Sequence, residues 1–287
     1  MTALIVDPRS NLNIDTVTEI MRDVAEEAVV PRWRNLASDQ MMVKEDMSIV
    51  TVADLEAEAL IAPRLLEILP GSCVIGEETV AKNPALLSAL RGETPVWIVD
   101  PIDGTGAFSR GEDNFGMLVS LNMLGRTVAA WAYFPIRGTI IACEQGSGVH
   151  IDGSPAEPDL TRQSVMDLIG RYNTKKLAPC LRLVTTAVIA GHPRMVMDTH
   201  SSWEFYRLLA GEPGLYLNAH TTPWDTSGGH LMATEAGCGV RYIDGSPYKN
   251  TDLGGALLYT QEKSQWWTIR DALFPGHHGP VLPSFRP

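Results

Sequence analysis

The sequence predicts a mixed fold, an α+β half followed by an α/β half, and three features of its 287 residues carry that prediction. Two amphipathic helical stretches open the chain. Three apolar, β-rich runs separated by short turns follow, the pattern of an antiparallel meander. Beyond about residue 155, strand and helix patterns alternate, as an α/β layer requires.

Residues 13–36 place Val17, Ile20, Met21, Val24, Ala28 and Val29 at helical spacing, with Asn13 or Asp15 as the opening cap. A second helix is predicted over 52–68, where Leu55, Ala59, Leu60 and Leu65 share a face and Pro70-Gly71 ends it. "CVIGEE" reads as a short strand stopping at Glu77, and "WIVDPID" as a buried strand running into Asp100, Pro101 and Asp103. The meander is "GMLVSLNML", "TVAAWAYF" and "GTIIACEQ", turned at Gly125-Arg126 and Arg137-Gly138 and closed by "GVHIDGSP". Residues 155–180 are polar and weakly patterned, which separates a domain over 1–154 from one over 155–287. In the second, "LRLVTTAV" reads as a strand, "SSWEFYRLLAG" as a helix closed by Gly211, "GLYLNAH" as a strand and "WDTSGGHLMATEAG" as a helix closed by Gly237. "GVRYIDG" and "GALLYT" read as strands, and "EKSQWWTIRDAL" as a last helix whose Trp266 and Trp267 serve the core or a dimer contact.

The balance of 34 acidic against 23 basic side chains gives a net charge of -11, which repels polyanions and disfavours nucleic acid as a general partner. The four cysteines are far apart and form no zinc-ligand spacing, so they read as reduced thiols of a cytoplasmic protein. An apolar patch of only three residues precedes Asp7, too short for a signal peptide, and no apolar run reaches the length of a membrane helix.

Asp100 and Asp103 flank Pro101-Ile102 at the end of a strand. Two carboxylates that close repel unless a cation lies between them. Oxygen-only donors suit a hard ion such as magnesium, which takes its remaining ligands from water and phosphate. Gly104 then lets the backbone approach a ligand, and the amides that begin the next segment can hold a phosphate. An acidic turn capping a helix fits the same residues, and spacing alone leaves both readings open. Glu77 and Glu78 equally suit a solvated turn, Asp225 an N-cap and Asp54 a helix-dipole partner. Together they are acidic groups at strand ends and helix starts, where open α/β architectures bind ligands.

Four ordered segments, "VTVADLEAE" (50–58), "IGEE" (75–78), "DPIDGT" (100–105) and "WDTSGGHLMATEAG" (224–237), with "GSGVHIDG" (146–153) between them, resemble the inositol monophosphatase-like family. The resemblance implies the sugar-phosphatase fold, an α+β/α/β layered sandwich in αβαβα order, usually homodimeric, hydrolysing a small phosphate monoester with two or three magnesium ions. Carried over by position, Glu77, Asp100 and the Ile102 carbonyl would hold a first metal, and Asp100, Asp103 and Asp225 a second. Asp54 would help position a further metal or its water. Thr105, with Asp54 and Glu77, would orient the attacking water, while the Gly104 and Thr105 amides bind phosphate.

Two departures bear on the substrate. The family's usual Thr-Asn-Phe after "DGT" is Gly106-Ala107-Phe108 here, and the Glu that binds a substrate hydroxyl in inositol-specific members is Asn218, which carries no charge. Ser201, Ser202 and Glu204 fall where relatives line the substrate pocket, or else on a helix surface; Arg110 is the basic group nearest the phosphate turn. His220 and His230 flank the "WD" segment and are read as packed rather than catalytic. The leading expectation is a magnesium-dependent phosphatase of a small soluble metabolite. The alternative is a protein of the same fold that regulates by binding another protein or RNA.

Overall fold

The computed structural model describes residues 13–44, 47–197 and 200–276, so the patch before Asp7 lies outside the described residues. Helix α1 (Ile14–Val24) opens at Asn13, whose side chain accepts the Asp15 amide at 2.8 Å. It runs on through a π-turn over Ala25–Val29, and the regular helix stops short of Pro31, which brings no N–H. A hairpin of β1 (Met41–Val43) and β2 (Ile49–Thr51) leads directly into α2 (Val52–Ile68). The inward face of α2 is Ala53, Ala57, Ile61 and Leu65 with Asp54 and Glu58; Leu55 and Leu60 are half-buried and Ala59 is exposed. This corrects the predicted face. Two carboxylates point inward here, so apolar spacing does not mark the buried side.

Strand β3 (Cys73–Gly76) passes into the short helix α3 (Glu77–Lys82), and β4 (Val96–Asp103), buried along its whole length, passes into α4 (Thr105–Ser109). The predicted meander follows as β5 (Gly116–Met123), β6 (Arg126–Phe134), β7 (Thr139–Glu144), β8 (Val149–Ile151) and β9 (Ser154–Pro155). Strands β3 to β9 form one seven-stranded sheet in sequence order, parallel only between β3 and β4.

The second sheet begins with β10 (Gly170–Asn173), in a stretch where the sequence marks no element. Residues 181–188, read as a strand, belong to helix α5 (Pro179–Ile189). Pro179 suits its first turn, and Leu181, Thr185 and Ile189 are buried at four-residue spacing. The β-branched residues of that run suit a strand, but its buried positions follow the helical period. Next come β11 (Met195–Met197), α6 (Ser201–Leu209), β12 (Leu215–Asn218), α7 (Pro223–Glu235), β13 (Gly239–Tyr242), β14 (Leu257–Thr260) and α8 (Trp266–Leu273). The five strands are ordered β11-β10-β12-β14-β13.

Four apolar interfaces stack these elements into the αβαβα sandwich. Helices α1 and α2 cover one face of the large sheet through Val17, Met21, Ala57, Ile61, Trp97 and Trp131. Helices α6 and α7 cover the other through Leu209, Leu231, Met232, Ala130 and Phe134. The opposite side of that helix layer meets the small sheet through Phe205, Leu208, Tyr216 and Tyr259. Helices α5 and α8 close the far face with Leu181, Ile189, Trp266 and Leu273. The middle layer thus brings the starts of α6 and α7 against the large sheet, where β4 ends. No helix among the described residues is long and apolar enough to cross a membrane.

Candidate active site

In a regular strand, residues three apart face opposite sides. Asp100 pairs with Leu118 and Asp103 with Gly116, so β4 carries one extra residue between them, a bulge. Pro101 has no N–H to give a ladder, which suits it to this irregularity. The extra residue restores the same face to both carboxylates, toward α6 and α7, while Ile102 joins the core under α2. The "DPID" spacing therefore works through a bulge.

Glu77 at the start of α3, Asp100 on β4 and Asp225 in the first turn of α7 bring carboxylate oxygens within 4.8 Å of one another. Asp100 is buried, its Oδ1 accepting the Ile102 amide at 3.0 Å while Oδ2 meets no donor. Burial, reinforced by the charges of Glu77 and Asp103, holds Asp100 well above the ordinary carboxylate range. Burial and the neighbouring carboxylates Asp103 and Glu77 push Asp225 up to about 8. Glu77 is raised by the same burial, against the pull of Lys44. Lys44, from the β1–β2 hairpin, places Nζ 2.7 Å from both Glu77 and Glu78. The buried Asp100 Oδ2 without a donor and the three converging carboxylates, one of them paired with Lys44, form a donor set that could hold a hard cation, and its all-oxygen character fits magnesium.

Beside this cluster, Asp54 is the third residue of α2 and closes a capping box with Thr51, whose amide and hydroxyl it accepts at 2.8 and 2.6 Å. Its other oxygen lies 3.1 Å from Thr105 Oγ1, which also donates to the Ile102 carbonyl at 2.9 Å. Asp54 thus stands in the first turn of α2, where a helix-dipole partner belongs, and that place is compatible with a part in the site. Burial pushes Asp54 up to about 6. Gly104 takes φ 92°, a left-handed conformation that glycine adopts without strain, and opens α4 with its N–H groups at the end of β4.

Asp103 turns to the start of α6, accepting the amides of Ser201, at 3.3 Å, and Ser202. Its charge still acts on Glu77, Asp100 and Asp225. Ser201, Ser202 and Glu204 are buried, which rules out the helix-surface alternative. Asn218 is buried too, with Nδ2 3.5 Å from Ser201 Oγ and Oδ1 accepting the His220 amide. Arg110 is exposed and paired with Glu112 at 2.7 Å, so it points away from a role as a second substrate charge. The N-cap position of α7 is held by Thr222, which corrects the N-cap reading of Asp225; Asp225 lies three residues further on, where it accepts the Thr222 hydroxyl at 2.6 Å. His230 packs on Tyr248, and burial lowers it to about 4. Trp266 is in the core and Trp267 is exposed. Sequence reasoning missed Lys44, the lone base in "MMVKEDM", and His200, whose ring would lie 3.1 Å from a methyl placed on Gly104.

Known proteins share this architecture. An inositol-1-monophosphatase of Mycobacterium leprae is 30% identical over 215 residues, covering 73% of this chain and 72% of its own. The Nus factor SuhB of Vibrio cholerae is 25% identical, covering 79% of this chain and 80% of its own. Among solved structures, an IMPase of Thermotoga maritima superposes with a TM-score of 0.74 at 19% identity, covering 90% of this chain and 95% of its own. The model of the inositol monophosphatase family matches residues 8–272, and so this chain belongs to that family and is a phosphatase within it.

Proposed function

We propose that the protein is a magnesium-dependent phosphatase of a small, soluble phosphate monoester. The observation that carries this reading is the convergence of Glu77, Asp100 and Asp225, with Asp100 Oδ2 lacking a donor. These three residues, with the Ile102 carbonyl and the remaining lone pairs of Asp103, would hold two or three ions. Bound magnesium would supply Lewis acidity, acidifying water and neutralising phosphate charge in a site that otherwise repels a dianion. The Thr105 hydroxyl, which lies between Asp54 Oδ1 and the Ile102 carbonyl, would orient the attacking water, and Asp54 would take the water's proton. The amides of Gly104 and Thr105 would cradle the phosphate, and Ser201, Asn218 and Asp225 would border the alcohol it leaves. Asn218 replaces a charged partner for a substrate hydroxyl, which favours an ester other than inositol phosphate. A homodimer belongs to the same reading and is checked by sedimentation.

The similarity to a Nus factor supports a second reading, a regulatory role through binding another macromolecule, for which the net charge of -11 favours a protein partner over RNA. Phosphate release from sugar, inositol, histidinol and nucleotide monophosphates, with magnesium and with chelator, separates the two. Magnesium-dependent release that is lost in Asp225→Asn is the expected result. No release from any ester by folded protein would overturn the phosphatase reading and leave the regulatory one.

A further inference from the structure

Asp54 and Glu58 lie one turn apart on the inward face of α2, and both are buried. Asp54 reaches Thr105; Glu58 reaches the opposite side of the site, where β3 turns into α3. Its Oε2 accepts the Glu78 amide at 2.8 Å and its Oε1 the Thr79 amide at 2.9 Å. A buried carboxylate is tolerated only when such donors meet it. Gly76, the residue before α3, leaves the space that the carboxylate fills, because a methyl there would overlap the Glu58 carboxyl group. The Gly76 amide is meanwhile held by Thr79 Oγ1 at 3.1 Å. Glu77 is thus the first residue of a helix whose start is gripped from one side by Glu58.

We infer that Glu58 is a positioning residue for Glu77: by holding the first turn of α3 in its bidentate grip, it aims the Glu77 carboxylate at Asp100 and Asp225 and so sets magnesium affinity. The inference rests on the proposed reading that Glu77 is a metal ligand. One rigid helix, α2, then orients both the water-handling side of the site, through Asp54, and its metal-holding side, through Glu58.

Magnesium binding by titration calorimetry, with circular dichroism in chelator as a check on folding, tests this on the full chain. Glu58→Gln keeps one acceptor and gives the other amide a donor it cannot use; Gly76→Ala pushes the carboxylate away without altering its charge. Each is expected to weaken magnesium binding about 10- to 100-fold, as loss of a group that orients a ligand does. Phosphate release should recover toward the wild-type rate at saturating magnesium. In the double variant Glu58→Ala with Gly76→Ala the methyl enters vacated space, so affinity should fall no further than in Glu58→Ala alone. If the wild-type chain binds no magnesium, the metal reading itself fails. Wild-type binding with unchanged affinity in the folded variants overturns the inference and leaves the metal reading intact. Variants that stay unfolded even in saturating magnesium also overturn it, and make Glu58 a purely structural residue.

Discussion

Raising the pH should destabilise the metal-free protein across a range in which most proteins hold steady. Burial holds Asp54 at about 6 instead of 3.8, pushes Glu78 to about 7 instead of 4.5, and pushes Asp225 to about 8 instead of 3.8. Each carboxyl binds its proton more tightly in the folded chain than in the unfolded one. Below about pH 4 both states are protonated and the stabilisation is fully present. As the pH rises, the unfolded chain releases the protons first, and the contribution is lost until the folded pKa is passed. For Asp54 the difference of about two units, at roughly 1.4 kcal/mol each, amounts to about 3 kcal/mol. At roughly 2–4 °C per kcal/mol, that alone lowers Tm by about 6–12 °C. Melting curves in chelator from about pH 4 to about pH 8 should show most of this fall, and magnesium should remove most of it, because a bound cation favours the ionised carboxylates. Asp54→Asn should flatten the part of the slope below about pH 6. A metal-free Tm that stays level or rises over this range would refute the electrostatic account of the site.

Asp100→Asn removes a buried charge that magnesium needs and the metal-free chain does not, so it should abolish the magnesium-induced rise in Tm while raising Tm in chelator near neutral pH; a lower Tm in chelator would count against it. Gly104→Ala places a methyl on a backbone at φ 92°, 3.1 Å from His200 Cδ2 and 3.3 Å from Phe115 Cβ. It should cost at least about 1–2 kcal/mol of stability and raise KM, and an unaltered KM would show that these amides do not hold phosphate. Thr105→Val removes the hydroxyl between Asp54 and the Ile102 carbonyl and should lower kcat on the order of 100-fold or more, with magnesium affinity by calorimetry little changed.

The meander, the helices carrying Asp54 and Asp225, and the turn at Gly104 were legible in the sequence because each is specified by neighbours in the chain: apolar runs split by short turns in β5 to β7, acidic residues at the starts of α2 and α7, a glycine after Asp103. The local pattern misled where two periods overlap, as in α5, whose valines and threonines suit a strand and whose Leu181, Thr185 and Ile189 spacing suits a helix. It was silent where a side chain answers to a distant partner. Glu58 faces inward for the sake of amides twenty residues on, and Lys44 for carboxylates more than thirty residues away. By itself, then, the sequence determined which acidic residues stand at strand ends and helix starts, since that depends on local turns and caps. Only the tertiary structure decided that Asp100 shares a face with Asp103, through the bulge paired against β5, and that Glu77, Asp100 and Asp225 converge, because α3, β4 and α7 meet only once α7 is packed between the two sheets.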